Sequence, residues 1–501
     1  MGEATRDMPG DGRAAAATRS GPGGAYLVLV AVLAAAYFVP RGISWNADTH
    51  IFLTASIVDR GTLNIDPLAQ YTGDVASANG HFYADKAPGL SLAAIPVYIV
   101  LKYTLLGGKP YTSLFAVAPA HRLDFLIRYL LALIFGAIPT GLIALLLFRF
   151  VLRLGAGRRW SAALALTYIL GTIARAFADQ FFSHQLAALL VFSGFVLLYR
   201  IRHEELVPRY AALAGALLGY AVITEYPTAL IAAALGVYAL LPREATTGLR
   251  GLLRAANTRL GLLLAAGAAP FLLLGALYNT LAFGGPLSQG YTHLAGPESF
   301  RVGQAQGFMG ITYPHLDAIW QTTLGPYRGL FLISPVLLLA VPGFVVLWRR
   351  LEWRAETRLW LAIVLLYALF VVSYYAWDGG FSLGPRHFLP ALPFLMLPLA
   401  EVVRPVHDRR WRIATAILAA CSIVIVELAV AAGPLADPRY ASPLTEWTLP
   451  LLLAGRLDNN WGMLLRLPGL LQLLPLVAVL GLVIWRGWRK DRSSATVSMS
   501  G

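Results

Sequence analysis

This chain is poor in the features that stabilise or solubilise most proteins of its size. Among its 501 residues there is one cysteine, which excludes a disulfide within the chain, and only 13% of the residues are charged. A soluble domain usually carries about 25% charged residues. The chain is instead 57% hydrophobic, which is typical of a polytopic membrane protein. It also lacks the phosphate-binding loop G-x-x-x-x-G-K-[ST], so ATP-driven work is not predicted.

Apolar runs separated by short basic segments predict an all-α fold. A membrane-spanning helix needs about 20 mostly apolar residues, and twelve runs meet or approach this length: Ala25–Pro40, Tyr129–Phe148, Trp160–Ala174, Gln185–Tyr199, Tyr210–Thr224, Pro227–Leu241, Leu260–Leu281, Tyr327–Trp348, Leu359–Trp377, His387–Val403, Ile413–Ala432 and Leu467–Trp485. Residues 1–24 are polar and rich in Gly and Ala, and we expect them to form a disordered cytoplasmic N-terminus. No cleavage site follows the first span, which we interpret as an uncleaved anchor.

One further apolar stretch, Pro88–Leu106, decides the orientation of every later loop. If it lies along the outer membrane interface, 26 of the 40 Lys and Arg residues face the cytoplasm, whereas only 14 do so if it crosses the membrane. The positive-inside rule favours the first arrangement. We therefore expect an interfacial helix here, both termini in the cytoplasm, and a multi-pass protein of the cytoplasmic (inner) membrane.

This topology begins with a transmembrane module, 25–281, which contains a large outer loop, 41–128. A second outer loop, 282–326, follows the module. The C-terminal transmembrane helices, 327–485, and a cytoplasmic tail, 486–501, complete the chain. The cytoplasmic loops are too short to form a nucleotide-binding domain. A functional site is therefore expected on the outer, periplasmic or exterior, side.

Ionisable side chains collect on this outer face, and a charge at the end of a span indicates a functional site. Asp48, in the segment Ser44–His50, follows closely after the first span. A carboxylate held there can act as a general base on a hydroxyl group. The alternatives are a solvated loop acid or the N-cap of a helix that begins at Thr49.

Two cations lie where they can bind a phosphate. Lys86, in the segment Gly80–Gly89, precedes the interfacial helix, whose free backbone N–H groups favour anions; alternatively, it reaches lipid headgroups. Arg386 ends a Gly-rich turn, Trp377–His387, at the mouth of a span. Its partner is either Asp378, in a structural ion pair, or the phosphate of a ligand.

An acid just after the first span, followed by a G-x-x-Y-x-[DE]-K-x-P element at the end of a long outer loop, resembles the GT-C membrane glycosyltransferases. The branch it resembles most contains the bacterial protein O-mannosyltransferases and the lipid A aminoarabinose transferase. Two later segments, Tyr278–Tyr291 and Gly379–Arg386, are similar to bacterial members of that branch. The resemblance departs at Thr49, where the family commonly has a second acid, and at Ala87, where it has proline.

The resemblance implies a GT-C-like bundle of about twelve transmembrane helices whose outer first loop carries interfacial helices. It implies that Asp48 is the general base and that Lys86 and Arg386 neutralise the phosphate of the donor. Asp179 matches a second acid near the donor sugar; its alternative is an ion pair with Arg175. Glu225, in an outer turn, can hydrogen-bond sugar hydroxyls, and the other residues assigned to substrate binding are His184 and Tyr83.

The predicted function is an inverting glycosyltransferase that moves a sugar from a polyprenyl-phosphate donor to a lipid, glycan or protein acceptor on the outer face. The alternative is a transporter or flippase of a lipid-linked saccharide, and a non-catalytic assembly subunit ranks third. The expected partners are membrane lipids, donor and acceptor, and no nucleic acid. No obligatory cofactor is predicted. No spacing among His50, His81 and His184 forms a recognisable metal-ligand set, so no metal site is predicted and dependence on a divalent metal stays open.

Overall fold

The computed structural model describes residues 24–39, 44–117, 122–242 and 257–497, which are mostly helical. The helices are α1 (Ala25–Ala36), α2 (Trp45–Arg60), α3 (Gly89–Leu105), α4 (Ser113–Val117), α5 (Arg122–Arg153), α6 (Gly157–Leu170), α7 (Ala174–Phe177), α8 (Ser183–Arg202), α9 (Tyr210–Thr224), α10 (Thr228–Leu240), α11 (Thr258–Phe283), α12 (Glu298–Gln304), α13 (Leu316–Thr323), α14 (Leu330–Ile333), α15 (Ala340–Arg349), α16 (Arg354–Ser373), α17 (Leu392–Met396), α18 (Leu399–Val402), α19 (Arg409–Ala432), α20 (Leu449–Leu453) and α21 (Leu474–Val497).

Six of these helices, α5, α8, α11, α16, α19 and α21, are long and apolar enough to cross a membrane when adjoining turns are included. Shorter apolar helices are α1, α3, α9, α10 and α15. The predicted helical architecture is thus confirmed for most of the described residues, while the number of twelve spans remains a prediction. The N-terminus predicted to be disordered lies, apart from Gly24, outside the described residues, and the helix that enters the predicted tail continues to Val497.

Two predicted spans are not continuous helices. The run 387–403 is a 3₁₀ turn, Arg386–Ala391, followed by the short helices α17 and α18. Pro390 lies inside the turn, and Pro393 and Pro398 lie at the starts of the two helices. Proline lacks the N–H that a continuing helix needs, so this segment crosses the core as connected turns. The run 327–348 is interrupted in the same way before Pro335.

The segment predicted as the first outer loop contains α2, a β-hairpin and α3. Strands β1 (Val75–Ala78) and β2 (His81–Ala84) are antiparallel and joined by Asn79-Gly80, whose φ values of 53° and 79° are those of a tight hairpin turn. The Asn-Gly signal is visible in the sequence, but the hairpin was not predicted. The predicted interfacial helix Pro88–Leu106 is confirmed as a helix, α3, with Pro88 as its N-cap residue.

The segment predicted as the second outer loop packs on this hairpin. The Ala295 N–H donates to the Val75 carbonyl at 2.9 Å, and Ala76 forms an isolated β-bridge with Leu294. A Cβ at Gly290 would lie 2.7 Å from the Asp85 carbonyl oxygen, so glycine permits this close approach. The two predicted outer loops therefore pack against each other.

Candidate active site

Lys86 lies between β2 and α3 and is held by two carboxylates. Its Nζ is 2.9 Å from an Asp74 oxygen and 2.6 Å from an Asp85 oxygen, and the ring of Tyr291 lies 5.6 Å away. Burial raises the pKa of Asp85 to about 6 although Lys86 lowers it. Burial alone would lower the pKa of Lys86, but Asp74 and Asp85 reverse the shift. The alternative that Lys86 reaches lipid headgroups is therefore wrong in this structure.

Asp48 lies in the first turn of α2 and is completely buried. One of its oxygens pairs with the guanidinium of Arg128 on α5, and the other has no hydrogen-bond partner among the described residues. The Arg128 Nε also contacts both oxygens of Asp124 at 2.9 Å. The position before the helix is Ser44, so both alternatives for Asp48, a solvated acid and an N-cap, are wrong.

The protonation of Asp48 follows from this burial. Removal from water disfavours the charged form and raises the pKa of Asp48 to about 6, while the Arg128 guanidinium opposes the shift. A carboxylate with this pKa and a free oxygen can accept a proton near neutral pH.

Asp179 lies between α7 and α8. An Asp179 oxygen is 3.6 Å from Arg175 Nη1, so the predicted alternative pair forms, although Arg175 Nε binds Glu427 more closely at 3.0 Å. The Gln180 side chain donates to Asp179 at 2.9 Å, and burial raises the pKa of Asp179 to about 6. Asp179, Gln180 and Arg128 line one cavity of about 40 Å³.

Glu225 and His184 are direct partners. The His184 Nδ1 lies 2.8 Å from each carboxylate oxygen of Glu225, and both side chains are buried. The ring centroid of His387 is 5.7 Å from that of His184. One ligand atom from each of the three residues lies within 4.8 Å of the others, a grouping that can hold a metal ion. We call it the His–Glu triad (His184, Glu225, His387).

Arg386 has no side-chain hydrogen bond or ion pair with any residue that the structure describes, and its buried Nε is without a partner. Its guanidinium lies 5.5 Å from the ring centroid of Phe182. Asp378 instead accepts the Tyr327 hydroxyl at 3.1 Å, and Arg328 holds the turn by donating to the Asp378 carbonyl at 3.0 Å. The alternative of a direct Arg386–Asp378 pair is therefore wrong in this structure.

Most of the charged side chains described above are close enough for their charges to affect one another. The charges of Asp74 and Glu225 act on Arg386, and the charge of Asp74 acts on both Lys86 and Asp48. We call Asp74, Asp85, Lys86, Glu225 and Arg386 the charged cluster. The structure thus brings together the predicted residues Lys86, Arg386, Glu225 and His184, with Asp48 beside them, whereas Asp179 lies on the cavity next to Arg128.

Tyr83, which was assigned to substrate binding, lies in the hairpin. Its backbone pairs with Ala76 in the hairpin, and its ring packs 5.4 Å from that of Phe283, so it contributes to the packing between the two predicted outer loops. Sequence reasoning missed Asp74, Arg128 and His387 as site residues. Arg128 had a signal, because it is a charge near the end of an apolar run, whereas Asp74 lies in a loop without a motif.

Neither a protein-family model nor a curated protein sequence matches this chain. Two solved structures are similar to it over most of its length. ArnT from Cupriavidus metallidurans bound to undecaprenyl phosphate is 16% identical, with a TM-score of 0.48, over 92% of this chain and 74% of that protein. The oligosaccharyltransferase AglB from Archaeoglobus fulgidus, in complex with an inhibitory peptide and a dolichol-phosphate, is 14% identical, with a TM-score of 0.43, over 80% of this chain and 55% of that protein. Both proteins are members of the GT-C superfamily.

Proposed function

We propose that this protein is an inverting glycosyltransferase that uses a polyprenyl-phosphate sugar as donor. The acceptor is a hydroxyl of a lipid, glycan or protein on the outer face of the membrane. The observation that carries the proposal is Asp48, a buried carboxylate with one free oxygen and a pKa near 6. In a transporter such an acid could only carry a proton, whereas in a glycosyltransferase its proton transfer accompanies cleavage of the sugar–phosphate bond, so bond cleavage distinguishes the two functions.

The reaction is a single displacement at the anomeric carbon. The free oxygen of Asp48 accepts the proton of the acceptor hydroxyl as that oxygen forms the new glycosidic bond. The bond between the anomeric carbon and the phosphate oxygen breaks, and polyprenyl phosphate leaves from the opposite face, which inverts the configuration. Arg128 keeps Asp48 oriented through the other carboxylate oxygen.

Arg386 is the first phosphate ligand in this proposal, and Lys86 is the second. The charge of Lys86 is already compensated by Asp74 and Asp85, whereas Arg386 has no carboxylate partner among the described residues. A guanidinium binds phosphate oxygens through a planar fork of N–H donors. The negative charge on the phosphate grows as the bond breaks, so both cations stabilise the transition state more than the bound donor.

Polar groups around these cations hold the sugar. Glu225 and His184 lie beside Arg386 and line the part of the site that receives the sugar. Asp179 lies on the cavity that reaches Arg128, and Tyr83 supports the hairpin above the site. The donor lipid enters laterally from the membrane, next to α3.

The deciding experiment is mass spectrometry of the products after the purified protein is incubated with a panel of polyprenyl-phosphate sugars and membrane extract. We expect the acceptor to gain one sugar, whose anomeric configuration is opposite to that in the donor. Donor movement across vesicles without cleavage of the sugar–phosphate bond would instead identify a flippase and contradict the proposal.

A substitution at Arg386 should separate binding from stability. We expect Arg386→Met to raise the KM for the donor by about 10–100-fold, since a hydrogen bond to a charged group contributes about 1.5–3 kcal/mol. The variant should unfold at about the same temperature as the wild type, because the Arg386 side chain makes no hydrogen bond or ion pair with the described residues that would be lost. Arg301→Met, at an exposed position of the second outer loop, is the matched control and should leave KM unchanged. A loss of thermal stability in Arg386→Met would show that Arg386 is a structural residue.

The proposed orientation predicts a labelling pattern. In a Cys421→Ser background, Ser77→Cys in the exposed hairpin should react with an impermeant thiol reagent applied outside intact cells. Val406→Cys, in an exposed connection that the topology places inside, should react only after permeabilisation. Labelling of Val406→Cys in intact cells would show that α3 crosses the membrane and that the later loops are inverted.

A further inference from the structure

The His–Glu triad is assembled from three separate elements. His184 is in the first turn of α8, Glu225 directly follows α9, and His387 is in the first turn of the 3₁₀ segment 386–391. Their ligand atoms lie within 4.8 Å of one another. No local sequence spacing produces this grouping, and it does not include Asp48.

The triad leaves polar atoms unsatisfied. The Nε2 atoms of His184 and His387 are both buried, and neither has a hydrogen-bond partner among the described residues. Buried polar groups without partners are rare in proteins and require an explanation. The Glu225 carboxylate lies 2.8 Å from His184 Nδ1 and so holds this ring in place beside His387.

The charges around the triad favour a cation. In the charged cluster, the three carboxylates Asp74, Asp85 and Glu225 face two cations, Lys86 and Arg386, which leaves a net charge of −1. The negative charge of Asp378 also attracts Arg386, but Asp378 is balanced by the positive charge of Arg328, which donates to the Asp378 carbonyl. A divalent cation at the triad would change this balance to +1 and so strengthen the attraction of the cluster for a phosphate that Lys86 and Arg386 contact.

We propose that His184, Glu225 and His387 bind one divalent metal ion of the zinc class. Two imidazoles and one carboxylate suit Zn²⁺ and its first-row neighbours better than Mg²⁺ or Ca²⁺, which prefer oxygen ligands. Three protein ligands are also typical of zinc sites that keep a coordination position open. The additional role of the ion, to make the charged cluster attractive to the donor phosphate, rests on the proposed function; the binding of the metal does not.

The test uses purified full-length protein and Zn²⁺ or Co²⁺ alone. After incubation and dialysis, elemental analysis should find about one Zn²⁺ per chain, and Co²⁺ should produce a visible d–d absorption band. Glu225→Gln and His387→Asn should each weaken Zn²⁺ binding by about 100-fold or more, because even loss of an outer-shell partner costs about 10–100-fold. The control is His81→Gln, which breaks an exposed histidine–carboxylate pair at 2.7 Å and should bind like the wild type.

A second measurement keeps the test valid if a variant folds poorly. Zn²⁺ should raise the Tm of the wild type and of His81→Gln, because a ligand of the native state stabilises it, and should not raise the Tm of the triad variants. Absence of bound metal in the wild type, or equal loss of binding in His81→Gln, would overturn the site. If the metal binds but no sugar is transferred, the proposed function fails and the metal site stands. If removal of the metal leaves the KM for the donor unchanged, the role in phosphate binding is wrong.

Discussion

Asp48→Asn is expected to lower the rate of sugar transfer by about 10²–10⁴-fold, which is the usual contribution of general acid–base catalysis. The amide has the shape of the carboxylate but cannot accept a proton at neutral pH. The variant should insert into the membrane and bind donor with little change, because Arg128 retains Asp124 as an ion-pair partner. The measurement is kcat for transfer, together with the KM for the donor and the abundance of the variant in the membrane.

The matched control is Asp124→Asn. It removes the same charge from the same guanidinium, but it leaves the free oxygen of Asp48 in place. We expect a much smaller loss of kcat than for Asp48→Asn. Equal losses in the two variants would mean that both acids act only by orienting Arg128, and Asp48 would not be the base.

The pKa of Asp48 also predicts how the wild type depends on pH. Because burial raises this pKa to about 6, the base is protonated at lower pH, and kcat/KM should rise as the pH increases through this value. Stability should change in the opposite direction. An acid whose pKa is higher in the folded than in the unfolded protein stabilises the fold below its unfolded pKa, about 4, and this contribution is lost as the pH rises through the folded value. A rate that is constant between pH 5 and pH 7 would contradict the assignment.

Lys86→Ala is expected to have the largest effect on stability. It leaves two buried carboxylates, Asp74 and Asp85, without their cation, and removal of one partner of a buried ion pair costs about 3–5 kcal/mol. The free energy of unfolding of the purified protein in detergent should fall by this amount. Donor affinity should fall as well, because one of the two proposed phosphate ligands is lost.

The double variant Lys86→Met/Asp85→Asn separates these two losses. It has the same net charge at this position as the wild type, since one cation and one anion are removed together. We expect it to recover most of the stability that Lys86→Ala loses, but not the affinity for the donor. If the double variant transfers sugar at the wild-type rate, Lys86 has only a structural role.

Much of the helical framework follows from local sequence. Apolar runs predicted α9 with the bounds Tyr210–Thr224 that the structure has, and the run Pro88–Leu106 predicted α3 to within one residue at each end. These two helices could be predicted from nearby residues alone, because a helix satisfies its backbone hydrogen bonds within its own segment. The prolines in 387–403 were visible too, but whether they kink a helix or divide it into turns depends on what packs around them.

The sequence by itself therefore determined the class of the protein, most of its apolar helices and the individual residues Asp48, Lys86 and Arg386 as candidates. Only the tertiary structure decided their partners: Arg128 lies 80 residues from Asp48 along the chain, Asp74 faces Lys86 from the start of the hairpin, and His387 joins His184 and Glu225 from a distant turn. The physical reason is that the formation of a helix depends on neighbouring residues. The environment of a buried charge depends on which distant segments pack against it, and no local pattern records that packing.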